Sequence, residues 1–240
     1  MRNIVLGLAL LSTGLLGTGL ANAALHDRGR GLLYDDVLNV TWLQDANYAK
    51  TSGYSVDGTM NWDNAKAWAD GLVYAGYSDW RLATNSPVNG TPASWDFNYS
   101  NAGTTDWGFN ITSTHSELSY MYYVNLGLKG YYSPSGVKQQ DYGIFGNGVE
   151  VGQANVGLVR NLQPWAYWSA ANYVSNQAWN FYMQHGDQGG KMMWGSAYSW
   201  AVRAGDVPAI PEPETWAMLL AGLGLLGLAA RRRKRESAAG

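Results

Sequence analysis

The chain contains no cysteine. Disulfides, thiol catalysis, Cys-ligated zinc and thiol redox chemistry are therefore excluded, and stability must come from a packed core. Histidine is nearly absent as well. His26, His115 and His185 are the three in the chain, and no two are spaced as H-x-x-H or H-E-x-x-H, so the sequence gives no support to a zinc site. Only 14% of residues are charged, and residues 24–210 carry 10 Lys and Arg against 15 Asp and Glu, a net charge of −5. A negative body has no electrostatic footprint for nucleic acid. In that stretch glutamate occurs only at 117 and 150, the chain has no G-x-S-x-G elbow, and the glycines between 143 and 157 have neither G-x-G-x-x-G spacing nor a P-loop lysine. These absences point away from an enzyme and require no cofactor. A secreted hydrolase built on an aspartate pair is the enzymatic alternative, with no motif behind it.

Apolar runs, by contrast, stand at both ends. Residues 1–24 place Arg2 ahead of an apolar stretch from Ile4 to Leu20, followed by small residues at Ala21, Ala23 and Ala24. This is the grammar of a cleaved secretory signal peptide, and it implies passage through the Sec export machinery. At the other end, Thr215–Ala230 holds 16 residues without a charge, about 24 Å long as a helix at 1.5 Å per residue. Arg231, Arg232, Arg233, Lys234 and Arg235 follow directly. Each cation costs about 3 kcal/mol at the bilayer centre, so the cluster stays in the cytosol and the body is left outside the inner membrane. Upstream, Pro211-Glu212-Pro213 cannot be regular helix, because both prolines lack a donor and Pro213 pushes Glu212 into extended backbone.

The order Pro-Glu-Pro, apolar run, arginine cluster at the C-terminus resembles the PEP-CTERM sorting signal, processed by exosortases in bacteria that make exopolysaccharide. The resemblance implies an exosortase partner and a transient membrane attachment. It further implies an inner-membrane intermediate in a Gram-negative-type bacterium, then delivery to the cell surface or the extracellular matrix. Three segments result: signal peptide 1–24, body 25–207 and sorting signal 208–240.

Within the body, Leu32-Leu33-Tyr34 and the alternating Leu38, Val40 and Trp42 predict two strands. Trp62, Ala65, Trp68, Ala69, Leu72 and Val73 recur at helical spacing after Asn61, a candidate N-cap, which predicts a helix over 62–74 with Gly76 beyond it. Thr114 and Glu117 read as a capping box opening a second helix that ends at Gly127. Between the helices, after a brief strand at 80–82, about thirty residues rich in Asn, Gly, Ser and Thr have no periodicity, which predicts a functional or disordered loop. The glycines at 143, 146, 148, 152 and 157 predict a loop-strand-loop. Later, 167–169, the alternating Trp179, Phe181 and Met183, and the alternating Tyr198, Trp200 and Val202 predict antiparallel strands with one buried face each, with 187–190 as a turn. The sum is an α+β domain with two helices and short antiparallel strands.

Residues 30–206 also resemble the Lcl C-terminal domain family through GYSDWRLAT, THSELSYM, YWSA, AWNFYMQHG, Lys191 and WAVRAGD in that order. Ala83 departs from the proline usual after W-R-L. That resemblance implies a C-type-lectin-like fold. Calcium is the ion such folds often use, and Asp57-Gly58-Thr59-Met60-Asn61-Trp62-Asp63 is rich in oxygen donors, but EF-hand spacing and the E-P-N and Q-P-D sugar triplets are absent. The body therefore names no metal ligand.

Aromatics are the abundant resource: 11 of the 12 tryptophans and all 16 tyrosines lie in the body. Trp62, Trp68, Trp80, Trp168, Trp179 and Trp200 sit on periodic faces and are expected in the core. Trp95 with Asp96, and Asp106 with Trp107, fall in the long polar loop, where a ring could stack on a sugar and a carboxylate accept its hydroxyls, or where the rings could pin the loop to the body. The functional expectation is an exported envelope or matrix protein associated with exopolysaccharide or biofilm. The alternative is a structural surface protein that contacts other proteins.

Overall fold

The computed structural model describes residues 25–89 and 94–208; the expected signal peptide, 1–24, and the tail from 209 onward lie outside them. In chain order the elements are β1 (Leu25–Gly29), β2 (Leu32–Asp35), β3 (Val40–Leu43), α1 (Tyr48–Thr51), β4 (Thr59–Met60), α2 (Trp62–Asp70), β5 (Arg81–Leu82), β6 (Tyr99–Ser100), β7 (Trp107–Phe109), α3 (Glu117–Tyr120), a π-helical turn Met121–Asn125, β8 (Ala154–Val156), β9 (Val159–Leu162), β10 (Ala166–Val174), β11 (Gln177–Tyr182), β12 (Asp187–Met192), β13 (Ala197–Tyr198) and β14 (Ala201–Ala204). Five strands form one sheet in the order β1-β2-β3-β14-β5, seven form a second in the order β4-β13-β10-β11-β12-β7-β6, and β8-β9 is a separate ribbon.

Strand exceeds helix by 35% to 12%, which overturns the expected α+β domain with two helices and the C-type-lectin-like fold with it. Both helices are shorter than expected, for different reasons. Asn61 does cap α2, its side chain accepting from the Asn64 amide, but the helix stops at Asp70 with Gly71 as its C-cap, and Val73 turns outward at 71% exposure. The capping box does not form. Ser116 occupies the N-cap of α3 but its hydroxyl donates to Gln188 Oε1 and caps no amide of the helix, while Glu117 swings away to take both guanidinium nitrogens of Arg81 at 2.7 Å and the Thr84 amide at 2.7 Å. A long-range ion pair has outcompeted the local cap, and one turn of α-helix passes into the π-helical turn.

The first two predicted strands are present as β2 and β3, paired antiparallel with Leu33 opposite Trp42. Their turn is organised by Asp35, whose Oδ1 accepts from the amides of Val37 and Leu38, and by Asn39 in the left-handed region at φ 51°. All six tryptophans expected in the core are buried, at 7% exposure or less. Several tie elements together through the indole N–H, whereas the indole N–H groups of Trp42 and Trp179 are buried without a hydrogen-bond partner. Trp168 donates to the Met60 carbonyl, Trp62 to that of Ser169, and Trp200, lying between β13 and β14, to that of Leu43. Trp42 and Trp200 pack at 4.8 Å.

The later strands depart from expectation in three ways. Residues 187–190 are strand, since β12 pairs along its length with β11, and the turn lies just before it at Met183–Gly186, with Gly186 at φ 82°. The alternation of Tyr198, Trp200 and Val202 is divided between the two sheets, and β13 runs parallel to β10. Finally, β11 is buried on both faces from Ala178 to Phe181, because it lies in the middle of the seven-stranded sheet. The long polar loop also contains strand: it supplies β6 and β7, the edge of that sheet.

The two ends of the body meet. The Arg28 guanidinium makes a bidentate pair with Asp206 at 2.8 Å, and Val207 beside it is buried.

Candidate functional site

The polar loop between β5 and α3 is folded around one carboxylate. Asp106 is fully buried; its Oδ1 accepts from the Val88 amide and its Oδ2 from the Asp96 amide, both at 2.7 Å. Its backbone is held as well, the N–H donating to the Asp96 carbonyl and the C=O accepting from Gln188 Nε2 at 2.8 Å. A carboxylate so engaged organises backbone and is closed to a ligand hydroxyl. Asp96 caps its own turn, with Oδ1 accepting from the Asn98 amide and side chain.

The two loop tryptophans behave differently. Trp95 is half-buried, 4.9 Å from the fully buried Trp179, in a cluster where Phe97 lies parallel to Trp179 at 6.0 Å and Tyr173 meets it edge-on at 4.5 Å. Trp95 thus fastens the loop to the sheet. Trp107 remains at the surface, 39% exposed, beside Tyr99, 47% exposed, with the rings 5.5 Å apart and edge to face. Of the four residues expected to make a sugar site, the structure leaves Trp107 as an open ring, and joins to it Tyr99, which the sequence reading passed over. The signal for Tyr99 was weak, since one tyrosine in a loop without periodicity shows no face.

The ledge is rigid for reasons of backbone chemistry. β6 and β7 run parallel, with Tyr99 in register with Trp107. Gly108 sits at φ 125°, where a Cβ would fall 2.0 Å from the Ser100 carbonyl oxygen, so only glycine allows the two strands this approach. On β12, Gly189 leaves bare backbone on which the Trp107 indole rests; a Cβ there would lie 3.3 Å from its Nε1. Tyr99 also donates to Asn101 Oδ1 at 2.9 Å. Held this way, Trp107 and Tyr99 offer a fixed apolar surface with polar neighbours.

Behind the ledge, Asp187 pairs with Phe109 across the sheet. Burial pushes its carboxyl up to about 6, and its Oδ1 is buried without a hydrogen-bond partner. His185 Nδ1 lies 3.7 Å from that oxygen and is lowered below the ordinary imidazole range by burial, with an opposing contribution from Glu150. Tyr122 and Tyr123 pack at 4.9 Å near them, their hydroxyls donating to the carbonyls of Lys129 and Gly186.

Among the described residues no group of three or more His, Asp or Glu side chains is placed to hold a metal ion. The oxygen-rich stretch weighed for calcium runs through β4 into the start of α2, and at its head Asp57 Oδ1 accepts from the Thr59 amide and from the Thr59 and Ser55 hydroxyls. His26 meets Asp36 at 3.0 Å, and His115 Nδ1 meets the Pro87 carbonyl at 2.7 Å. A further exposed ring, missed by the sequence reading, is Trp194 at 78% exposure.

Among the described residues no helix is long and apolar enough to cross a membrane; the apolar run at 215–230 and the residues Pro211 to Pro213 and Arg231 to Arg233 lie outside them. No curated protein and no solved structure matches the chain, so the resemblance of the body to the Lcl C-terminal domain family gains no support. Residues 209–234 match the PEP-CTERM protein-sorting motif. The chain is therefore an exported substrate of an exosortase, carried to the cell surface by way of a membrane-anchored intermediate.

Proposed function

We propose that the processed body is a non-enzymatic component of the cell surface or extracellular matrix that binds extracellular polysaccharide through the ledge of Trp107 and Tyr99. The observation that carries this reading is the pair of exposed, edge-to-face rings held on glycine-dependent backbone at the end of a seven-stranded sheet. Two fixed rings can each cover the apolar face of a sugar, and their rigidity removes the ordering entropy that a mobile loop would lose on binding. The sorting motif supports this reading, since it implies export of the body to the cell surface, where an extracellular polymer could reach it.

The test is affinity electrophoresis of the processed protein, purified from its host, in gels containing host exopolysaccharide. Retardation is expected, and Trp107→Ala combined with Tyr99→Ala should weaken it about tenfold or more, the usual consequence of truncating an aromatic anchor. Unchanged mobility of the wild type on every polymer would reject polysaccharide binding. Release of reducing ends from the polymer would reject the non-enzymatic part.

A further inference from the structure

A cleft of about 500 Å³ opens at the far end of β11 and β12, lined by Asn61, Asp63, Ser175, Asn176, Met192, Met193 and Trp194. That volume is in the range of ligand sites. Trp194 stands at its rim, and among the described residues no other ring packs on it. Its backbone is anything but loose. The Gly195 amide donates to the Met192 carbonyl at 2.9 Å, closing a tight turn around Met193 and Trp194. The Met193 amide donates to the Asn176 carbonyl at 3.0 Å, and the Met193 carbonyl accepts from the Trp62 amide at 3.0 Å. The turn is thus bolted to the β10–β11 hairpin on one side and to the start of α2 on the other. Asn176 holds the hairpin at φ 62°, a left-handed conformation that asparagine tolerates.

The walls differ in chemistry. Trp194 and Met192 form the apolar side, at 78% and 43% exposure, and Asn61, Asp63, Ser175 and Asn176 form a polar side rich in acceptors and amides. A flat ring sharing one cleft with hydrogen-bonding groups matches a molecule with one C–H face and a rim of hydroxyls, which is the shape of a pyranose. A protein partner would call for a broader apolar core than one tryptophan and two methionines. Asp63 is the one charged residue in the lining, within a body of net charge −5, so a polyanion is disfavoured.

Resting on the polysaccharide-binding reading above, we infer that the Trp194 cleft is a second sugar subsite, separate from the Trp107 ledge, that takes one ring of an uncharged polysaccharide by stacking on the indole. Two subsites on one rigid body would let a single polymer engage both and raise its apparent affinity without any new contact.

The experiment uses full-length variants expressed in the host, with the processed product run in gels containing galactomannan, mixed-linkage glucan, dextran or host exopolysaccharide, and alginate as the polyanion. Trp194→Ala should weaken binding to an uncharged polymer at least about tenfold with an unchanged melting temperature, because the side chain is already in water. Trp194→Tyr should retain most of the binding, and Trp194→Leu should fail as alanine does, since leucine is apolar but has no flat face. Wild-type binding that Trp194→Ala leaves intact but the Trp107 and Tyr99 variant abolishes would overturn the second subsite and leave the general reading standing. A wild type that binds no polymer overturns both. Rescue by leucine, tighter binding to alginate than to uncharged polymers, or a dimer in sedimentation that Trp194→Ala dissolves would each overturn stacking on an uncharged sugar.

Discussion

Glu117 shows how one side chain can serve a purpose its neighbours do not announce. Local sequence offers it to the amide of a capping box, yet its side chain is nearly buried and makes three charge-assisted bonds, two to Arg81 and one to the Thr84 backbone. Removing it strands a half-buried guanidinium and an amide. Glu117→Ala should therefore cost about 3 kcal/mol, the usual penalty for breaking such a pair, read as a lower urea midpoint with an unchanged slope. A loss below about 1 kcal/mol would mean that water replaces the carboxylate. Asp187 is the opposite case, a carboxyl made uncomfortable by burial. In the native state it titrates at about 6, against about 3.9 in an unfolded chain. Native protein holds the proton more tightly, so this site contributes fully below pH 4 and loses its share as pH rises to 6, up to about 3 kcal/mol. Asp187→Asn, which stays neutral, should flatten unfolding free energy between pH 4 and 6 and exceed the wild type at pH 7.5. An equal pH slope in both proteins would reject the assignment.

At the scale of elements, the edge formed by β6 and β7 depends on a missing side chain. The backbone of Gly108 lies where a Cβ would sit 2.0 Å from a carbonyl oxygen, and its φ of 125° is strained for any other residue. Gly108→Ala should separate β6 from β7, cost on the order of 1–3 kcal/mol, and weaken polysaccharide retention along with it, since Tyr99 and Trp107 are held in register by that pairing. Amide hydrogen exchange would report the change as lost protection confined to residues near 100 and 108. Protection lost evenly across the seven-stranded sheet would show that the edge is no separate unit.

For the whole molecule, the two ends of the body share one anchor. Arg28 and Asp206 tie the first strand to the residues just before the sorting motif, so the two ends of the body lie together. Pro211 is five residues beyond Asp206, a reach of at most about 17 Å of fully extended chain. Intact-mass measurement of the protein from its host should show neither the segment up to about Ala23 nor anything far beyond Pro211 to Pro213. A mass that includes Arg231 to Arg235 would mean the tail is a permanent anchor.

The sequence alone determined the address and the core. The sorting motif was legible because its parts are contiguous and act through properties that need no fold: proline stiffness, apolar length and clustered charge. The buried tryptophans were legible because each stands on a local period. Tertiary structure decided the rest, since the rest depends on competition between distant groups. Glu117 abandoned its cap for Arg81, residues 187–190 became strand because β11 and β7 flank them, and the single alternation through Tyr198 and Val202 was divided between two sheets. The binding surface follows the same rule. Asp106 and Trp107 are adjacent in the chain, yet Asp106, just before β7, is buried under the Val88 and Asp96 amides that its carboxylate accepts from, while Trp107 opens the strand and leaves its ring in water.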